Sequence, residues 1–361
     1  MTRASIIRLF IGLALVLVLG IGGYWRSQYV ENPACWGQTM GTSYSIRIAG
    51  KVKRSALKKL THKIDAELLE VNRQMSTWDP ASEISTFNHS TSTDSITVSE
   101  DFAKVVARAL EFSRSTSGAF DPTLQPLLNL WGFGSESEER KIPSDADILS
   151  VRASTGWQKI SVDLPEHLSK IRPDVSLALG AIAKGYGVDS MARILEDGGF
   201  ENWFVELGGE VFVKGHNPDG VPWKIGIQFP GIDPLNDRLQ GILHISTGAV
   251  ATSGDYRNYM EVNGSIYSHI LDPRTGYAAL SDTASVTVYA PNCTDADAMA
   301  TSLFVMGADE GIDWIEKRPD AEALFLVRTG NGEIIERFSS RFTEATGYIS
   351  ETVRNTGTNE N

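Results

Sequence analysis

SLALGAIAKGYGVD, residues 176–189, decides how the rest of the chain is read. Three glycines, Gly180, Gly185 and Gly187, surround one lysine, Lys184. Residues 175–179 have the composition of a strand end, and residues 188–195 carry apolar side chains at helical spacing. A strand that breaks at glycines and restarts as a helix presents free backbone amides at the helix N-terminus, a favourable place for an anion. Lys184 adds a point charge suited to phosphate. An ordinary strand-to-helix turn with a solvated lysine fits the same residues. The stretch contains no GxxxxGK[ST], so it is not a P-loop.

Working outward, the 361 residues suffice for a large core, and 42 % hydrophobic with 22 % charged residues is a globular balance. A net charge of −12 without a long basic run argues against a nucleic-acid partner, whose phosphates would be repelled. An anionic ligand therefore needs local compensation, which directs attention to Lys184 and Arg274. Cys35 and Cys293 form no CxxC or metal-spaced pattern, and no disulfide framework is implied.

The N-terminal residues 1–25 read as a targeting segment: Arg3 and Arg8 precede an uncharged apolar run over 9–24. Its length lies between a signal-peptide core and a full span. The basic flank places the remainder across the membrane, which suggests an anchor in the inner membrane and a body facing the periplasm. An uncleaved anchor is the expectation, with a cleaved signal as the other fate. Residues 26–37 read as a linker, 38–349 as one domain and 350–361 as a disordered tail.

Within the domain, MGTSYSIRI (40–48) alternates like a strand, and 55–72 and 102–113 have helical spacing. Residues 135–147 are polar and charged and read as a surface excursion. WFVELGGEVFV (203–213) reads as a hairpin turning at Gly208-Gly209, with further strands at 223–229, 241–245 and 285–290. A helix over 294–306, capped by Thr294 or Asp295, is followed by a last helix over 311–317 and strands at 323–327 and 334–338. Strands outnumber helices and follow one another as hairpins, so the fold class is α+β with mostly antiparallel sheets.

Three groups of residues have chemistry in them. Asp297 and Thr301 stand at i and i+4 on one helical face and offer hard oxygen donors suited to Mg²⁺, although an acidic first turn and a packed threonine use the same spacing. His269, in SHILDPRTGY, is held between turn-forming pairs and has the pKa range of a proton carrier. Glu206 before Gly208-Gly209 can accept hydrogen bonds from a sugar hydroxyl or sit exposed on a hairpin, and Trp78 and Phe120 can stack on a flat ring or fill a core. GxSxG, HExxH, a cysteine nucleophile motif and a GxGxxG after a strand are missing, which counts against serine hydrolases, zinc proteases and Rossmann oxidoreductases.

Taken in order, MGTSYSI, MSTWDPASEISTFN, SGAFDPT, LGAIAKGYGVD, VELGGEV, ATSGDYRNY, SHILDPRTGY and DADAMATSLFVMG resemble the ApbE-like FAD:protein FMN transferases, over about residues 37–338. The resemblance implies a single two-lobed α+β unit, related to the T-fold, with FAD in a cleft. It implies Mg²⁺-dependent transfer of FMN from FAD to a threonine or serine of an exported or membrane flavoprotein, including subunits of sodium-pumping or electron-transfer complexes, with release of AMP. Carried over by motif, Asp297, Thr301 and the backbone carbonyl of Ala181 bind the metal. Lys184 meets the phosphates, and Met40, Trp78, Ala119, Phe120, Asp121, Glu206 and Asp272 line the FAD site. His269 stands beside the reacting phosphorus. Family members often carry an aspartate where this chain has Ala178, which leaves open a weaker metal site or a non-catalytic FAD-binding protein, while the same ligands with water as acceptor would make an FAD pyrophosphatase giving FMN and AMP.

Overall fold

The computed structural model describes residues 28–137, 139–231, 238–256, 258–262, 265–279 and 281–351. The expected anchor at 1–25 and all but the first two residues of the expected tail lie outside these. Among the described residues no helix is long and apolar enough to cross a membrane.

Eight strands make the central sheet: β1 (Ala34–Thr39), β2 (Thr42–Ile48), β3 (Trp203–Leu207), β4 (Glu210–Lys214), β5 (Thr247–Gly254), β6 (Thr283–Ala290), β7 (Glu322–Arg328) and β8 (Ile334–Phe338). They lie side by side in chain order, and each neighbouring pair is antiparallel. The sheet is therefore one long meander, and most other elements are inserted between its strands. This bears out the α+β class with mostly antiparallel sheets. Residues 26–37 are corrected: Tyr29–Glu31 pairs with Lys51–Lys53, and β1 begins at Ala34, so most of the expected linker is built into sheets.

Alternation fills two cores, because successive strand side chains point to opposite faces. Trp203, Val205 and Leu207 join Ala249, Ala251, Val286 and Val288 in the large core. Helices α1 (Arg54–Met75), α2 (Glu83–His89) and α3 (Glu100–Ser115) contribute to this core, as do the helices Ala183–Asp197 and Cys293–Ile315. Phe204, Val250, Leu324 and Leu326 face the other way, against the hairpin Trp223–Gln228/Leu239–Ile245 and Phe342. A third, small core gathers around Trp131 at the end of α4 (Gln125–Trp131), with Ile148 of α5 (Asp145–Arg152) and Met260, Leu271 and Ala278. The hairpin Tyr259–Val262/Ser265–Ser268 belongs to this satellite.

The opening stretch departs from expectation. Residues 175–179 are extended and deeply buried through Val175, Leu177 and Leu179, yet they pair with no strand. Buried backbone groups need partners, and side chains supply them here. Asn88 donates to the Leu177 carbonyl at 2.9 Å and accepts from its N–H at 2.7 Å, while buried Lys170 donates to the Val175 carbonyl at 3.0 Å. Helix α6 starts at Ala183, not at 188, and runs to Asp197. Gly185 and Gly187 are thus helical. The reason is helix packing: a Cβ on Gly185 would lie 2.3 Å from the Cys293 carbonyl oxygen, at the start of α7 (Cys293–Ile315). Helix α7 is capped by Asn292, whose Oδ1 accepts from the Asp295 N–H at 2.8 Å, rather than by Thr294 or Asp295. It absorbs most of the expected last helix across a break at Gly307, where φ is 76°.

Candidate functional site

Helices α6 and α7 cap each other. Asp189 of α6 accepts from the Cys293 and Thr294 N–H groups of α7, both at 2.8 Å. Asp297 of α7 accepts from the Gly185 N–H of α6 at 2.9 Å. That N–H is one of the helix-start donors left without an internal partner, and a carboxylate there also meets the positive end of the helix dipole. In a longer helix it would reach back to the Ala181 carbonyl. Its diversion to Asp297 frees that carbonyl for another partner.

Above this junction opens a cavity of about 590 Å³. Met40, Ala119, Phe120, Asp121, Ala181, Lys184, His269, Asp297 and Thr301, spread over more than two hundred and fifty residues, all line it. Each is brought there by a local cause. Met40-Gly41 form the two-residue turn between β1 and β2, with φ of 49° and 69°, the doubly left-handed turn that matches hairpin twist. Residues 119–121 are held against the extended segment by the Ala178 N–H, which donates to the Pro122 carbonyl at 2.7 Å. Both oxygens of Asp121 are used in this loop, by Thr123 and by the Trp157 N–H. Ala178 itself lines the cavity, so the missing aspartate would have faced it.

The floor carries a buried charge cluster. Lys184 is ion-paired to Glu210 at the start of β4, whose side chain is 2 % exposed. The second oxygen of Glu210 is buried without a hydrogen-bond partner among the described residues. Burial pushes the carboxyls of Glu210 and Asp297 up, while Lys184 pulls both down. Ionised, the two carboxylates outnumber the lysine by one charge, so a cation fits the cluster. Thr301 sits one turn from Asp297, its hydroxyl 3.0 Å from that of Ser253. Among the described residues no group of three or more His, Cys, Asp or Glu gathers at one point. The donors here are one carboxylate, one hydroxyl and one backbone carbonyl, a set of hard oxygens that suits Mg²⁺ with waters completing its shell.

His269 stands on the flank, just past the hairpin. Its Nδ1 is 3.0 Å from the Asn258 carbonyl, which also accepts its backbone N–H at 3.0 Å. A carbonyl only accepts, so Nδ1 carries the proton and Nε2 keeps a free lone pair. Burial, with Lys184 and Arg140 nearby, holds the imidazole below its ordinary pKa, and it is neutral at pH 7.

Three expected residues do not line the cavity. Trp78 is 71 % exposed. Glu206 closes the Gly208-Gly209 turn, accepting from the Gly209 N–H at 2.9 Å and from Ser45. Asp272 shapes its own turn by accepting from the Arg274 N–H at 2.9 Å and pairing with its guanidinium. Asp295 is also engaged elsewhere, with Arg108. Residues missed in the sequence include Glu210, Asp189, Ser253 and Asn258. Glu210 had a signal: it opens the apolar run EVFVK directly after two glycines, where a solvated carboxylate is out of place.

Known proteins match closely. The ApbE family profile covers residues 40–325. The FAD:protein FMN transferase of Vibrio cholerae serotype O1 is 43 % identical over 296 residues, 82 % of this chain and 87 % of that protein. That of Haemophilus influenzae is 40 % identical over 316 residues, 86 % and 90 % of the two chains. Among solved structures, the flavin transferase ApbE from Vibrio cholerae superposes with a TM-score of 0.78 at 40 % identity, covering 87 % of this chain and 99 % of the other. The apo flavinyl transferase ApbE of Pseudomonas stutzeri gives 0.79 at 34 %, covering 88 % and 97 %.

Proposed function

The chain belongs to the ApbE family, and on that premise we propose that it transfers the FMN part of FAD to a serine or threonine hydroxyl of a target flavoprotein, releasing AMP. One observation carries this reading: the motif residues of the floor and of the flank meet in one cavity, with the phosphate-suited lysine and the free imidazole nitrogen both lining it.

Lys184 binds the pyrophosphate, held in place by Glu210. Met40, Ala119, Phe120 and Asp121 form the wall against which FAD is oriented. Asp297, Thr301 and the Ala181 carbonyl hold Mg²⁺, which when bound neutralises charge on the pyrophosphate and on the departing AMP. The acceptor hydroxyl attacks the FMN-side phosphorus, the bridging P–O bond to AMP breaks, and the hydroxyl proton passes to Nε2 of His269. The imidazole suits that task because it is neutral, and its Nδ1–H is held by Asn258.

The apolar run at 9–24 behind Arg3 and Arg8 supports placing the body outside the inner membrane, where tethering raises its effective concentration toward membrane-bound flavoproteins. Protease added to spheroplasts then digests the body; protection until lysis overturns this placement.

The function is tested by mixing the protein with FAD, Mg²⁺ and a purified flavoprotein domain bearing a Ser/Thr-Gly-Ala-Thr-like acceptor. Mass spectrometry should find one covalent FMN on that domain and one AMP per transfer. FMN and AMP released without an adduct select hydrolysis, and FAD left intact selects a binding protein.

A further inference from the structure

We propose that Arg140 is a positioning residue for His269, acting through Asn258. The inference rests on the reading of His269 as the base. Arg140 lies in the charged 135–147 stretch, which the sequence alone presents as a surface excursion. Its guanidinium spans two acceptors where the chain enters the satellite hairpin: Nη1 donates to the Tyr259 carbonyl and Nη2 to Oδ1 of Asn258, the residue just before the strand, both at 2.9 Å. Asn258 is the residue whose carbonyl holds Nδ1 of His269 at 3.0 Å. The side chain of Asn258 is thus fixed by Arg140 and its backbone carbonyl fixes the imidazole.

A second contact runs in parallel. The Arg140 guanidinium lies 5.0 Å from the centre of the Phe133 ring, and that ring meets His269 edge-on with centroids 6.4 Å apart. The backbone under Arg140 is itself seated: a Cβ at Gly132, where φ is 86°, would come within 2.4 Å of the Arg140 Cα. Only a glycine lets the two segments cross there.

The arrangement uses what is particular to arginine. A planar fork reaches two oxygens at fixed separation, whereas an ammonium on a flexible stem does not hold both in one geometry. Arg140 does not itself line the cavity, so it acts on the imidazole through Asn258 and not by touching FAD. Small displacements of a base are costly, since about 1 Å of misplacement lowers rates by up to roughly a hundredfold.

The experiment compares the full chain with Arg140→Met, Arg140→Lys and His269→Ala. Nitrogen NMR of the His269 ring in the FAD-free protein reports the tautomer. Transfer kinetics use FAD, Mg²⁺ and the same acceptor domain. The wild type should show Nδ1 protonated and Nε2 free. Arg140→Met should mix the two tautomers and lower kcat by about ten- to a hundredfold, with KM for FAD within about twofold. Arg140→Lys should recover only part of kcat. Wild-type kcat and a single tautomer in Arg140→Met overturn the inference while leaving the base in place. Undiminished transfer by His269→Ala instead overturns the reading on which it rests.

Discussion

The floor of the cavity and its flank are held by cores of different depth. Lys184, Asp297 and Glu210 sit on α6, α7 and β4, inside or beside the large core, and two helices that cap each other fix their separation. His269 follows a two-stranded hairpin resting on the Trp131 core, which has few fully buried side chains. The groups proposed to bind the pyrophosphate and the metal are therefore built into or beside the most deeply buried core. The group proposed as the base is carried by a lighter unit and kept in place by a hydrogen bond to Asn258. The orientation of the proposed base therefore rests on that one bond.

The largest expected effect breaks the floor. Asp297→Asn keeps an oxygen for the Gly185 N–H, so α6 stays capped, but it removes the anionic donor. Transfer should fall by roughly a thousandfold or more, with an unchanged circular dichroism spectrum. Full activity at low Mg²⁺ in this variant would remove Asp297 from the metal site.

Next comes the flank. His269→Ala should lower kcat by about a hundredfold or more. Because burial holds the imidazole below its ordinary value of about 6.5, its neutral, proton-accepting form persists below that pH. The part of the acid limb of kcat that belongs to His269 should lie below about pH 6.5, and the variant should lose that part. An acid limb above about pH 7 that disappears in the variant would contradict the environment described for this histidine.

The helix junction gives a stability contrast between two neighbouring glycines. Gly185→Ala forces a methyl onto the Cys293 carbonyl, against backbone that does not yield easily, and should cost about 1–3 kcal/mol in denaturant unfolding. Gly180→Ala meets nothing within 4 Å and should change stability by less than about 0.5 kcal/mol. Equal costs at the two sites would mean that the close approach of α6 and α7 is not what the glycine serves.

The smallest effect concerns the satellite alone. Trp131→Phe loses the bond from Nε1 to the Gly276 carbonyl at 3.0 Å, worth about 1 kcal/mol. Amide exchange should quicken in the hairpin Tyr259–Val262/Ser265–Ser268 and remain slow in α6 and α7. Faster exchange in both would show the two cores to be one cooperative unit.

Much of this was legible in order along the chain. Strand patterns mark β2, β3, β4, β6, β7 and β8 of the meander, whereas most of β1 lies in a stretch that reads as a linker and β5 carries no such signal. Helical spacing marks α1, α3 and most of α7, and the i, i+4 pair of Asp297 and Thr301 follows from helix geometry alone. These are local patterns, set by which side of an element is apolar. Tertiary structure decided the rest. Residues 175–179 have the composition of a strand, but their hydrogen bonds go to Asn88 and Lys170, about ninety and five residues away from Leu177 and Val175 respectively. Gly185 reads as a turn residue and is instead helical, because the surface it must clear belongs to α7. Glu206 and Glu210 lie four residues apart in one hairpin. Only the placement of Lys184 against β4 selects Glu210 for the site, while Glu206 closes a turn. A sequence carries propensity and periodicity, which are local free energies. Which carboxylate meets a lysine, and which histidine nitrogen is left free, depend on contacts between segments distant in the chain, and these exist only once the chain has packed.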